Sequence, residues 1–121
     1  MSKLVGKSFD TPDEKRTPDK TEVGVVDLGN GIKAARMSMQ PGWSWSSCIK
    51  PIVGGDSCQV HHVGALISGE MEVVHNDGSS QKLTAGNAYV IEPGHDAWVI
   101  GDVPAVGFEF DPTAAETYAK G

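Results

Sequence analysis

The stretch that decides the fold runs from Ser57 to Trp98, and it is built from short apolar runs separated by glycine turns. Gln59-Val60-His61-His62-Val63-Gly64-Ala65-Leu66-Ile67 meets Ser68-Gly69, and Glu70-Met71-Glu72-Val73-Val74-His75 then runs to Asn76-Asp77-Gly78. β-Branched and apolar residues fill the runs, while Gly and Asp supply the φ angles that turns demand, so the spacing predicts a β-hairpin and a second turn. Leu83-Thr84-Ala85-Gly86 turns into Asn87-Ala88-Tyr89-Val90-Ile91, and Glu92-Pro93-Gly94 turns into His95-Asp96-Ala97-Trp98-Val99-Ile100. No long helical period interrupts them. The expected architecture is all-β, a sandwich or barrel.

The flanks extend the same pattern. Val23 to Leu28 and Ile32 to Met39 read as two strands joined at Asn30-Gly31. Gln40-Pro41-Gly42 leads into Trp43 to Lys50, read as a strand whose period of two puts Trp43, Trp45 and Ile49 on one face. Ser44, Ser46, Cys48 and Lys50 then share the other. In the run from Cys58 to Ile67, alternation directs Cys58, Val60, His62, Gly64 and Leu66 to one side and His61 to the opposite one. Ala105 to Phe110 is a last strand. Asp111-Pro112 is an N-cap with proline at the first helical position, beginning a short C-terminal helix.

A chain of 121 residues fits one domain with one core. We divide it into an extended N-terminal arm, 1–21, and a barrel domain, 22–121; Leu4, Val5 and Phe9 on the arm need burial on its own sheet or on a neighbouring subunit. A net charge of −6 without a basic cluster excludes nucleic acid as the natural partner. No apolar run has the length of a signal peptide core or a membrane span, so the expected location is cytoplasmic, with no membrane partner. Cys48 and Cys58 are expected to be reduced there.

Pro41-Gly42, the turn at Gly69, and Gly86 with Pro93-Gly94 resemble the two short motifs of the cupin superfamily, G-x5-H-x-H-x3-4-E-x6-G and G-x5-P-x-G-x2-H-x3-N. The resemblance covers residues 22 to 110 and implies a cupin-type β-sandwich barrel, or jelly roll, of the small single-domain bacterial kind with a Pro93-to-Trp98 second motif. It also implies a metal held by three histidines and a glutamate, and this chain departs from that set. The two first-motif histidine positions fall on Cys48 and Lys50, the glutamate position on His62, the last histidine on Ala97, and the usual first proline of the second motif on Glu92.

A substitute set remains at the inward mouth of the barrel. Cys48, His62 and His95 are the candidate metal ligands, His62 and His95 the candidate catalytic residues, and Lys50 and Glu92 the candidate pocket rim. Thiolate with two imidazoles suits a divalent metal ion (Zn, Fe, Mn, Ni or Cu) and leaves a position open for water or substrate. The expected function is small-molecule binding, with metal-dependent lyase, isomerase or oxygenase chemistry on a small polar substrate. The alternatives are a non-catalytic binder or sensor, and metal-free acid–base catalysis by histidine. If Cys48 points inward, Trp43, Trp45 and Ile49 face outward as an apolar patch, which predicts a homodimer covering that face with the arm.

Overall fold

The computed structural model describes residues 4–120 and contains nine strands and two short helices. The strands are β1 (Glu14–Arg16), β2 (Thr21–Gly29), β3 (Ile32–Met39), β4 (His62–Ser68), β5 (Glu70–His75), β6 (Ser80–Thr84), β7 (Ala88–Ile91), β8 (His95–Ile100) and β9 (Ala105–Glu109). A six-stranded sheet in the order β1-β2-β3-β9-β4-β7 packs against a three-stranded sheet in the order β6-β5-β8, and every pairing is antiparallel. The expected β-sandwich is present. Its core holds Val23, Val25, Met37, Leu66, Met71, Val73, Leu83 and Val99 from the two facing sheets.

The Gly69 turn does not close a hairpin. β4 belongs to the large sheet and β5 to the small one, so the chain changes layer there. Gly69 has φ of 76°, and a Cβ built on it would lie 2.5 Å from the Pro104 carbonyl oxygen, so this corner admits no side chain. Gly64 is equally constrained, because a Cβ there would lie 2.1 Å from the Phe108 carbonyl oxygen across the β4–β9 pair.

The Trp43–Lys50 strand is not formed. After a bridge at Ser44 the chain winds into a π-helical turn, Trp45–Ile49, followed by α1 (Lys50–Val53). Ser44 caps the turn by accepting from the Ser47 amide, which is the local bonding that small hydroxyl residues offer in place of a sheet ladder. Winding replaces alternation, so Trp43, Trp45, Cys48 and Ile49 are all buried in the same core. The outward tryptophan patch therefore does not exist, and the argument for a dimer through it loses its basis.

Within the N-terminal segment, Glu14–Arg16 adds an edge strand to β2, and Phe9 stacks on Phe108 at 5.0 Å, while Leu4 and Val5 are exposed. Arg16 is buried, and its guanidinium donates to the carbonyls of Ala115, Glu116 and Tyr118. These are the free carbonyls at the end of α2 (Pro112–Thr117), the C-terminal helix capped by Asp111 as expected. Among the described residues, no helix is long and apolar enough to cross a membrane.

Candidate metal centre

Four strands converge on one buried group. His62 opens β4, His95 opens β8, Glu109 closes β9 and Tyr89 lies in β7. Cys58 stands just before β4, where it pairs with His95: the Cys58 amide donates to the His95 carbonyl at 2.7 Å and the Gly94 amide donates to the Cys58 carbonyl at 2.7 Å. In a straight strand, residues 58 and 62 would stand about 13 Å apart. The chain bends after this bridge, and Cys58 Sγ comes to 3.8 Å from His62 Nε2.

One ligand atom each from Cys58, His62 and His95 lies within 4.8 Å of the others, and all three residues are buried. Tetrahedral zinc with S and N ligands sets donors roughly 3.6 Å apart, and the Cys58–His62 separation of 3.8 Å is close to that span. Both imidazoles are oriented for it. His62 Nδ1 donates to Glu109 Oε1 at 2.6 Å, and His95 Nδ1 donates to the Glu92 carbonyl at 2.8 Å. A carboxylate and a carbonyl can only accept, so each Nδ1 carries a proton and each Nε2 is the nitrogen available to a cation. Glu109 is itself held, since Tyr89 donates to its Oε2 at 2.8 Å.

The electrostatics couple these residues. Burial opposes the imidazolium of His62, but Glu109 and Cys58 outweigh it and raise the pKa to about 10. Burial likewise opposes the Cys58 thiolate, and donation from His62 and His95 overcomes it, lowering the thiol to about 6. Without a cation both shifts favour the thiolate–imidazolium form of the pair. Burial, then the neighbouring Glu109 charge, pushes the Tyr89 phenol upward, so it stays a neutral donor.

Around the group lies a cavity of about 40 Å³, walled by Trp43, Trp45, Leu66, Met71, Ile91 and Tyr118 among others. An open cleft of about 740 Å³ adjoins it, sharing Tyr89, Ile91 and His95, and is lined also by His75, Gln81 and Glu92. Tyr118, on the far side, sets its ring edge-on to His62 at 5.2 Å.

Of the residues expected at the site, His62 and His95 are together, and Glu92 reaches the cleft and holds His95 through its carbonyl. Cys48 is not with them. The π-helical turn carries it toward Ser47 and Asp19, at 3.6 and 3.9 Å, and the thiol in the group is Cys58. Lys50 is exposed at the start of α1 and lines neither the cavity nor the cleft. His61 points away from His62 as alternation requires, and pairs with Asp111 at 2.7 Å. Two members were missed. Cys58 already sat on the inward face with His62, and Glu109 shares the buried parity of Ala105 and Gly107 in β9, so a charge at that position was the available signal.

The fold has known counterparts. The chain is similar to a Rhizobium leguminosarum protein of unknown function at 15% identity, covering 92% of this chain and 99% of that one with a TM-score of 0.63. It is similar to the cupin domain of Schizosaccharomyces pombe Cnp3 at 15% identity, covering 88% and 74%, with a TM-score of 0.57. Likeness to the Lactobacillus farciminis oxalate decarboxylase stands at 21% identity and a TM-score of 0.57; the alignment covers 79% of this chain and spans 30% of that enzyme's length. No family profile and no curated protein matches the sequence. The chain has the fold of the cupin superfamily, a fold that includes enzymes.

Proposed function

We propose that this is a small-molecule-binding cupin whose Cys58, His62 and His95 hold a divalent cation, with the substrate or ligand entering from the cleft at the barrel mouth. The observation that carries the reading is the state of the imidazoles: both Nδ1 atoms are tied to acceptors, which leaves each Nε2 for a cation, and the three residues each bring a donor atom within 4.8 Å of the others. A thiolate with two imidazoles favours zinc or another borderline-soft metal over magnesium or calcium. When bound, such a cation supplies Lewis acidity toward a water or carbonyl. The chain's own residues do the rest: Glu109 holds His62, Tyr89 holds Glu109, the apolar wall excludes bulk water, and the His75, Gln81 and Glu92 rim suits a small polar molecule.

Elemental analysis of untagged protein after zinc loading and dialysis tests this. Wild type and Cys48→Ala should carry about one zinc per chain, and Cys58→Ala, His62→Ala and His95→Ala should carry background levels. Equal metal in all five overturns the reading.

A metal-free reading has one observation in its favour, the order Cys58–His62–Glu109, in which a thiolate faces an imidazole oriented by a carboxylate. Turnover of a small substrate that survives complete chelation would favour it. A homodimer, if formed, is better placed on the outer face of β4 and β7, where Val63, Ile67 and Val90 are 40%, 51% and 62% exposed. Sedimentation of Val90→Lys beside wild type tests it; identical monomers in both would exclude that interface.

A further inference from the structure

The wall of the cavity beside the three donors includes a residue with a polar atom that the protein leaves unpaired. Trp43 is 3% exposed and forms part of the cavity wall, and its indole Nε1 is the only buried side-chain nitrogen or oxygen without a hydrogen-bond partner among the described residues. Leaving a buried donor unmet is costly, and native interiors rarely do so. The histidines and Tyr89 are spoken for: His62 by Glu109, His95 by the Glu92 carbonyl and Tyr89 by Glu109. The indole N–H can only donate.

We propose that the ligand of this centre is a compact lone-pair donor, an oxygen or nitrogen species of about one to three non-hydrogen atoms, that faces Cys58, His62 and His95 and accepts the Trp43 indole N–H. The size follows from the cavity, whose volume of about 40 Å³ holds roughly three water-sized spheres. The polarity follows from Trp43, which rejects ligands or ligand ends that can only donate, and from the apolar part of the wall, where Leu66, Met71 and Ile91 offer no hydrogen bond. Charge does not select here, because a divalent cation is balanced by the Cys58 thiolate and the Glu109 carboxylate. This inference rests on the metal reading. Trp43 is a binding and selectivity residue in it, with the cation held by the other three.

Azide, a three-atom lone-pair donor, is the probe. Cobalt-loaded wild type and Trp43→Phe are titrated with azide, and the cobalt absorption spectrum is followed. Both proteins should hold one cobalt, and the variant should bind azide about tenfold to a hundredfold more weakly, as expected for loss of one hydrogen bond to a charged partner. In zinc-loaded wild type, the Trp43 indole proton, assigned by through-bond connectivities, should move downfield on adding azide; this measurement decides the matter if the variant fails to fold. Full cobalt with no azide binding, with equal azide affinity in the two folded proteins, or with an unmoved indole resonance overturns the role of Trp43 and leaves the metal centre standing. Absence of cobalt from wild type overturns the metal centre and this ligand with it.

Discussion

His62 is the residue on which the centre turns, because both of its nitrogens face negative charge: Glu109 at Nδ1 and the Cys58 sulfur at Nε2. A cation must displace the proton on Nε2. With His62 raised to about 10 and Cys58 lowered to about 6, binding between those values releases one proton, from the histidine. Affinity should therefore rise about tenfold per pH unit from 6 toward 10, and more steeply below 6, where the thiol must also ionise. Calorimetry in buffers of different ionisation enthalpy should count about one proton per zinc at pH 8; a count of zero would contradict the imidazolium. Glu109→Gln keeps an acceptor for Nδ1 and removes the charge. Chelator competition should then show zinc affinity reduced about tenfold to a hundredfold.

The element that closes the inner end of the barrel is α2, and it is held by a strand from the other end of the chain. Six residues make a helix too short to persist alone. Its order comes from Tyr118 and Ala115 in the core and from Arg16, which gathers three carbonyls at its C-terminal end. Arg16→Met preserves much of the side-chain volume and deletes these charge-assisted bonds. Urea unfolding should show a loss of about 2 to 4 kcal/mol, and amide exchange should quicken over residues 113–119 before the sheets open. Unchanged exchange in α2 would show that Tyr118 packing alone suffices. The β4–β9 pair supplies a second element-level test. In Gly64→Ala the new methyl meets the Phe108 carbonyl, forcing apart the strands that carry His62 and Glu109. The expected cost is about 3 kcal/mol or more, with zinc affinity falling alongside stability.

For the whole molecule, the centre joins parts distant in sequence: residue 58, the first residues of β4 and β8, and the end of β9. A cation that binds only when these meet stabilises the entire sandwich. Zinc at a hundredfold excess over its dissociation constant adds about 2.7 kcal/mol, which for a domain of this size raises the melting midpoint by roughly 10 °C. The transition should remain single and cooperative, and chelation should reverse the shift. Cys58→Ala should show none of it.

Alternation and turn chemistry in the sequence were sufficient for β2, β3, β4, β5, β7, β8 and β9, though not for the short β1 and β6, and for the inward face carrying His62, the opposite orientation of His61, and the Asp111 cap, because each depends on residues close along the chain. The cupin fold itself was implied by the resemblance of the glycine and proline positions to the family's two motifs. Alternation and turn chemistry were not sufficient from Trp43 to Lys50, where backbone bonding at Ser44 and burial of both tryptophans outcompeted the strand period and moved Cys48 away. They could not join Cys58 to His62 and His95 either, although all three already lay on inward positions. That grouping depends on a bend after an isolated bridge and on two sheets facing each other, with Glu109 arriving from a strand 47 residues beyond His62. Chain order carries the residue types and their faces; only packing sets which of those faces meet across the core.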